Sequence, residues 1–340
     1  MIELKDDALE FSFPEVHPEA NLRISFQRTL RIPDDGSDYP LPPGLDEFPL
    51  RHVDDYHDRV PKIWIEHGGV MLPMYQAEAM WLSFDAESVE DRGVEYPFAI
   101  KVATGKIDAV TGKEWSNGLH RRPQDYLVAP EQPWLDGYCV EEGIIRQFVA
   151  MPLGAGYSAE EQLTGKAEHG GIQVIVCPMK REVFERRFPL EETCPRLVVY
   201  DMPSVMTESC DMGLAPGGRM KQQIYKDPYR LSDWDAAHSS RCFVHIANSM
   251  VWRGITGENP PTVPFTAADY TRHGLPWFEY YNEKAAALAG SAALAGMKSV
   301  AQLGKAKGEV PLPENESVSP THVVRLRKGL GKDQVREGSF

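Results

Sequence analysis

The stretch NLRISFQRTLRI, residues 21–32, decides how this chain folds. Leu22, Ile24, Phe26, Leu30 and Ile32 share one parity, while Arg23, Gln27, Thr29 and Arg31 share the other. Side chains alternate faces along a strand, so the pattern predicts a sheet with one face buried. Arg28 interrupts the apolar parity, and a bend or an exposed end is expected there. The segment that follows, PDDGSDYPLPPGLDEFPL, carries too much proline for regular structure and reads as an ordered loop with extended character.

The same reading extends along the chain. Further strands are expected in KIWIEH (62–67), VMLPMYQAEAMWLSF (70–84), YPFAIKVAT (96–104), DYLVA (125–129), GIIRQFVAM (143–151), GIQVIVCPM (171–179), RLVVYDM (196–202) and RCFVHIAN (241–248). Proline and glycine, 27 and 28 residues, punctuate these runs as turns do. Helical signals are fewer. SAEEQLTG offers Ser158 as N-cap, Glu161 three residues on and Gly165 as stop. Thr266 can cap AADYTRHG, and 276–305 has the alanine and lysine content of a helix weakened by Gly290 and Gly296. The expected class is mainly β (α+β): a β-sandwich-like body of short antiparallel strands with a helical or extended C-terminal part. The body spans 1–250. A helical segment, 251–308, packs on it or on a neighbour, and 309–340 forms a linker, one strand and a tail.

Composition narrows the function. The 340 residues carry a formal net charge of −14, which disfavours a duplex-binding surface, since phosphate neutralisation needs clustered cations. Arg23, Arg28 and Arg31 make a local basic group, read as solvated strand positions. MIELKDDALEF lacks the regions of a signal peptide, and no apolar run reaches the roughly 18 residues of a membrane span. Five scattered cysteines without a CxxC argue against a disulfide framework and for the cytoplasm.

Several clusters are candidates for chemistry. PLGAGYSAEE places Gly154 and Gly156 before a helix, as phosphate loops do, but Glu160 and Glu161 already stand at the positive end of the helix and would repel an anion. MGLAPGGRMKQQIYKDPY is the better anion candidate, because Gly217 and Gly218 are followed by Arg219 and Lys221. HVDDYHD offers His52, Asp55 and His57 as metal ligands, although five residues separate the histidines and one helix face would not present both. EHGG occurs at 66–69 and again at 168–171, each time just before a strand, where the His can cap a turn. Cys242 and His245 suggest a thiolate–imidazole pair, but positions three apart on a strand face opposite ways. GLPWFEYY gathers Trp277, Phe278, Tyr280 and Tyr281, either an interface or sugar platform on the surface or an anchor if buried.

FQRTLRIPDDG (26–36), YPLPPGL (39–45), QPWLDG (132–137), RQFVAMPLGAGYSAEEQLTG (146–165), HGGIQ (169–173) and GLPWFEYY (274–281) resemble a family of uncharacterised bacterial proteins. The resemblance runs from about residue 20 to about 300 and implies one stand-alone unit. It supplies no catalytic residues and no cofactor. The function expected from the residues is a non-enzymatic β-rich binding or self-assembling protein, with itself or another protein as partner and no cofactor. The alternatives are an enzyme acting on a small or sugar-like substrate between body and C-terminal part, and a metal-dependent module.

Overall fold

In the computed structural model of the chain, Leu22, Ile24 and Phe26 of the Asn21–Leu30 strand are at most 1% exposed, as the alternation requires. The structure describes residues 1–190, 211–281, 285–310 and 312–327. Glu78–Ala86 pairs along one edge of Asn21–Leu30, while Ala8–Ser12 and then Gly44–Glu47 take the other. The register shifts between Arg28 and Thr29, which gives the bend. The exposed end is a correction, because Arg28 is buried against Glu78. Arg31 is buried too, not solvated.

From Glu78–Ala86 the network continues through Ile144–Pro152 to Asp211–Lys221 and on to Ser240–Asn248. Ile172–Pro178 and Phe98–Thr104 follow, and both are buried at every position. Burial along the whole run, Lys101 and Gln173 included, marks strands covered on both faces. Nearly all of these pairings are antiparallel, and among the described residues seventeen strands link into one hydrogen-bonded network. The protein is mainly β, 38% strand against 18% helix.

The Ser240–Asn248 strand organises one region of this network. Val70–Met74 runs parallel along one side of it and Ile172–Pro178 antiparallel along the other. Val70 and Ile172 both pair with Val244. Two strands therefore enter beside the same residue from opposite edges, and each is preceded by an EHGG turn.

Three sequence expectations are corrected. KIWIEH is a short helix, Lys62–His67, between Pro61 and Gly68. Its strand-like parity misleads because Trp64 is the buried residue while Ile63 is exposed. VMLPMYQAEAMWLSF is two strands, Val70–Met74 and Glu78–Ala86, which leave each other for different partners. The 276–305 segment is a strand, Trp277–Tyr281, followed by two short helices, Ala292–Ala295 and Val300–Lys307. Gly290 turns between them at φ 77° and packs on the backbone of Glu141, where a Cβ would come within 2.6 Å. The THVVRLRK strand forms as Val323–Arg327, parallel to Trp277–Tyr281. RLVVYDM (196–202) lies outside the described residues.

The capped helices form as read. Ser158 and Glu161 close a capping box at Ala159–Thr164, and Thr266 accepts from the Asp269 amide. Beyond the body, Trp252 and Ile255 bury themselves with Val53, Trp64, Met71 and Ala247, which ties the chain after residue 250 to the sheet. Among the described residues no helix is long and apolar enough to cross a membrane.

Candidate functional site

Gly217 and Gly218 of the anion candidate sit inside the Asp211–Lys221 strand. The glycines serve close packing. A Cβ on Gly217 would meet Val149 at 2.8 Å, and one on Gly218 would meet the Pro33 carbonyl oxygen at 2.5 Å. Arg146 and Arg219 stand opposite each other on the paired strands, a like-charge placement that needs counter-charges. Arg219 has them. It reaches Asp38 at 2.6 Å and grips both oxygens of Glu141 at 2.8 and 3.2 Å. These bonds raise its pKa and lower that of Glu141. The buried Arg146 donates to the Gly217 carbonyl and lies 3.7 Å from Asp34. Arg219 thus straps three segments together with its charge already met within the chain.

Lys221 lies two residues further on the same strand, so its side chain takes the same face. Its ammonium is 2.9 Å from Glu279, whose second oxygen accepts from Arg325 at 3.3 Å. The Lys221 hydrogen bond is the main cause that holds the Glu279 pKa below the usual carboxylate value. Here the sheet and the C-terminal strand enclose a cavity of about 230 Å³ lined by Gly143, Lys221, Gln222, Gln223, Glu279 and Tyr280. The Tyr280 ring packs 4.6 Å from that of Trp134, which in turn meets Trp81 edge-on at 6.4 Å. Gln222 is fixed from behind, accepting from the Asp136 amide and donating to the Trp134 carbonyl. The cleft joins two sequence candidates, Lys221 and Tyr280, that sequence spacing did not connect.

No family model, no curated protein and no solved structure matches the chain. The chemistry of the site therefore rests on its own side chains.

The remaining candidates fall elsewhere. Trp277 is fully buried between Tyr39 and Tyr270, so its interface role is corrected to internal packing. Phe278 is half-buried and its backbone exchanges two hydrogen bonds with Leu41. Tyr281 ends the strand, and its side chain lies outside the described residues. His52, Asp55 and His57 are exposed around the short helical turn Val53–Tyr56, where only Val53 is buried. His57 reaches Asp58 instead. Among the described residues no three His, Cys, Asp or Glu side chains gather as metal ligands, which corrects the HVDDYHD metal reading.

The PLGAGYSAEE turn fills its own amides. Glu161 accepts from Gly156 at 2.6 Å and Ser158 at 3.1 Å, while the buried Glu160 accepts from the backbone of Glu168, His169 and Gly170. Carboxylates of the chain occupy the place a phosphate would take. Burial pushes the Cys242 thiol up to about 12 and His245 down to about 3, so neither is poised as nucleophile or base. A further cavity of about 250 Å³, with Glu95, Phe188 and Tyr229 in its wall, contains none of the sequence candidates.

Proposed function

We propose that the protein is a non-enzymatic binding protein whose Lys221–Glu279–Tyr280 cleft takes a small, hydroxyl-rich, sugar-like ligand. One observation carries this reading: the lining combines amides, an ammonium–carboxylate pair and an aromatic ring. Amides and ion pairs donate to and accept from hydroxyls, and a ring face packs against the apolar side of a sugar. The same lining argues against catalysis. Among the described residues it holds no Ser, Cys or His, and its carboxylate, Glu279, is kept ionised by Lys221, which suits an acceptor rather than a proton donor. A volume of about 230 Å³ suits a monosaccharide-sized ligand.

A panel of mono- and oligosaccharides, screened by saturation-transfer NMR and followed by calorimetry, tests this. Binding that Tyr280→Ala and Gln223→Ala abolish supports it. Binding untouched by both variants, or none across the panel, refutes it.

Self-assembly is the second reading. Val323–Arg327 is the outer member of a two-stranded sheet, and Val323 and Leu326 are 39% and 42% exposed. An outer strand that exposes apolar side chains can pair with another chain. Light scattering on the wild type and on Leu326→Lys distinguishes a dimer formed there from a monomer. The free, buried thiols Cys139 and Cys177 agree with a reducing, cytoplasmic setting.

A further inference from the structure

The two EHGG turns, about a hundred residues apart in sequence, meet in space. Val70 and Ile172 pair with Val244 from opposite edges, so the turn before each strand arrives beside Phe243 and His245. The glycines permit the approach. A Cβ on Gly69 would collide with the Phe243 carbonyl oxygen, and one on Gly171 would come within 2.6 Å of the Val244 carbonyl oxygen. The result places the rings of His67 and His169 with centroids 6.0 Å apart and planes inclined by 46°.

The His67 ring is set rather than loose. His67 stacks on Phe243 at 4.4 Å, and Phe243 stacks on His245 at 4.3 Å, which lies 4.7 Å from Trp64. His245 is occupied, donating from Nε2 to the Gly68 carbonyl at 3.1 Å, and so holds that turn in place. By contrast, Nδ1 of His67 and Nδ1 of His169 are both buried without a hydrogen-bond partner. Buried polar atoms are paired as a rule, and a matched pair of exceptions in duplicated motifs calls for a reason. Burial first, and then the charge of Lys106, hold both imidazoles below their ordinary pKa.

We propose that His67 and His169 together bind one borderline transition-metal ion, such as Zn²⁺, Co²⁺, Ni²⁺ or Cu²⁺. Neutral imidazole is the donor these ions favour. The spacing agrees. A metal–nitrogen bond of about 2.0–2.1 Å puts each ring centroid a little over 3 Å from the ion, so two ligating rings stand roughly 5–6.5 Å apart. Two protein donors leave the other positions to water or an incoming ligand, which makes this an exchangeable ion rather than a structural one. Lys106 opposes the ion, and Glu66 beside His67 and Glu160 and Glu168 beside His169 offset it. This site is separate from the Lys221 cleft, whose lining holds neither histidine.

The test uses the full chain, purified without a histidine tag or chelator, titrated with ZnCl₂ by calorimetry and with CoCl₂ by visible absorption. One ion per chain is expected, in the micromolar range. His67→Ala and His169→Ala should each weaken binding at least tenfold while far-UV circular dichroism stays native. Lys106→Gln should tighten binding several-fold, since it removes a like charge. Absence of saturable binding in the wild type overturns the proposal. So does wild-type affinity in both folded histidine variants. Weaker binding in Lys106→Gln also overturns it, since a positive charge beside the two rings can only oppose a cation. If one histidine variant fails to fold, the other decides, because each ring supplies one donor.

Discussion

Arg28 and Glu78 form a buried ion pair across adjacent strands, 2.7 Å apart, with side chains 4% and 0% exposed. The guanidinium also donates to the Thr262 carbonyl at 2.6 Å, which ties the chain beyond the body to the central strand. A buried charge stripped of its partner costs about 3–5 kcal/mol, whereas replacing both partners by apolar groups is close to neutral. Arg28→Met should therefore destabilise by that amount in urea unfolding, and Arg28→Met with Glu78→Leu should recover most of it. Additive losses in the double variant would show that the pair is not coupled.

Two buried carboxyls make stability depend on pH. Burial pushes Asp108 and Asp136 up to about 7 each. An acid whose pKa is raised on folding favours the folded state while it keeps its proton. That contribution is complete below the unfolded value, 3.8, and is lost as pH rises through about 7. Each group removes up to about 1.4 kcal/mol per pH unit inside that window. Urea midpoints should therefore fall between pH 5 and pH 8. Asp136→Asn, which cannot ionise, should flatten the slope and overtake the wild type at pH 8. Parallel profiles for the two proteins would contradict this.

The parts legible in the sequence were those set by near neighbours. Period-two alternation showed the strand at 21–30, short runs between turn residues showed those at 98–104 and 172–178, and the Ser158 capping box showed its helix, because each signal lies within a few residues. Distant partnerships were hidden. Arg28 looked like a break in the pattern because Glu78 lies fifty residues away. Lys221 and Glu279 are 58 residues apart, and only the fold makes them one cleft. KIWIEH was ambiguous because six residues suit either period. The EHGG words were visible twice, but their meeting depends on two registers that converge on Val244.

Gly69 and Gly154 share a left-handed backbone, φ 88° and 90°, yet only Gly69 is crowded. At Gly154 a Cβ would meet nothing within 4 Å, so Gly154→Ala carries only the backbone cost, about 1–2 kcal/mol. Gly69→Ala adds a clash with the Phe243 carbonyl, worth about 1–3 kcal/mol more. Thermal melts should rank wild type, Gly154→Ala and Gly69→Ala in falling order. Equal midpoints for the two variants would mean that the turn is not pressed against the 240–248 strand.

Trp277 decides whether the GLPWFEYY segment anchors the chain to itself or to a neighbour. Its ring is fully buried, lies 6.2 Å from Tyr39 and 6.1 Å from Tyr270, and donates from Nε1 to Thr271 at 3.3 Å. Its backbone amide donates to the His322 carbonyl, so the residue also fixes the start of the parallel pairing with 323–327. Removing a buried indole costs about 3–5 kcal/mol. Trp277→Ala should lower the urea midpoint by that equivalent at every protein concentration, with the particle mass by light scattering unchanged. A variant of native stability but altered mass would place Trp277 between chains instead of within one.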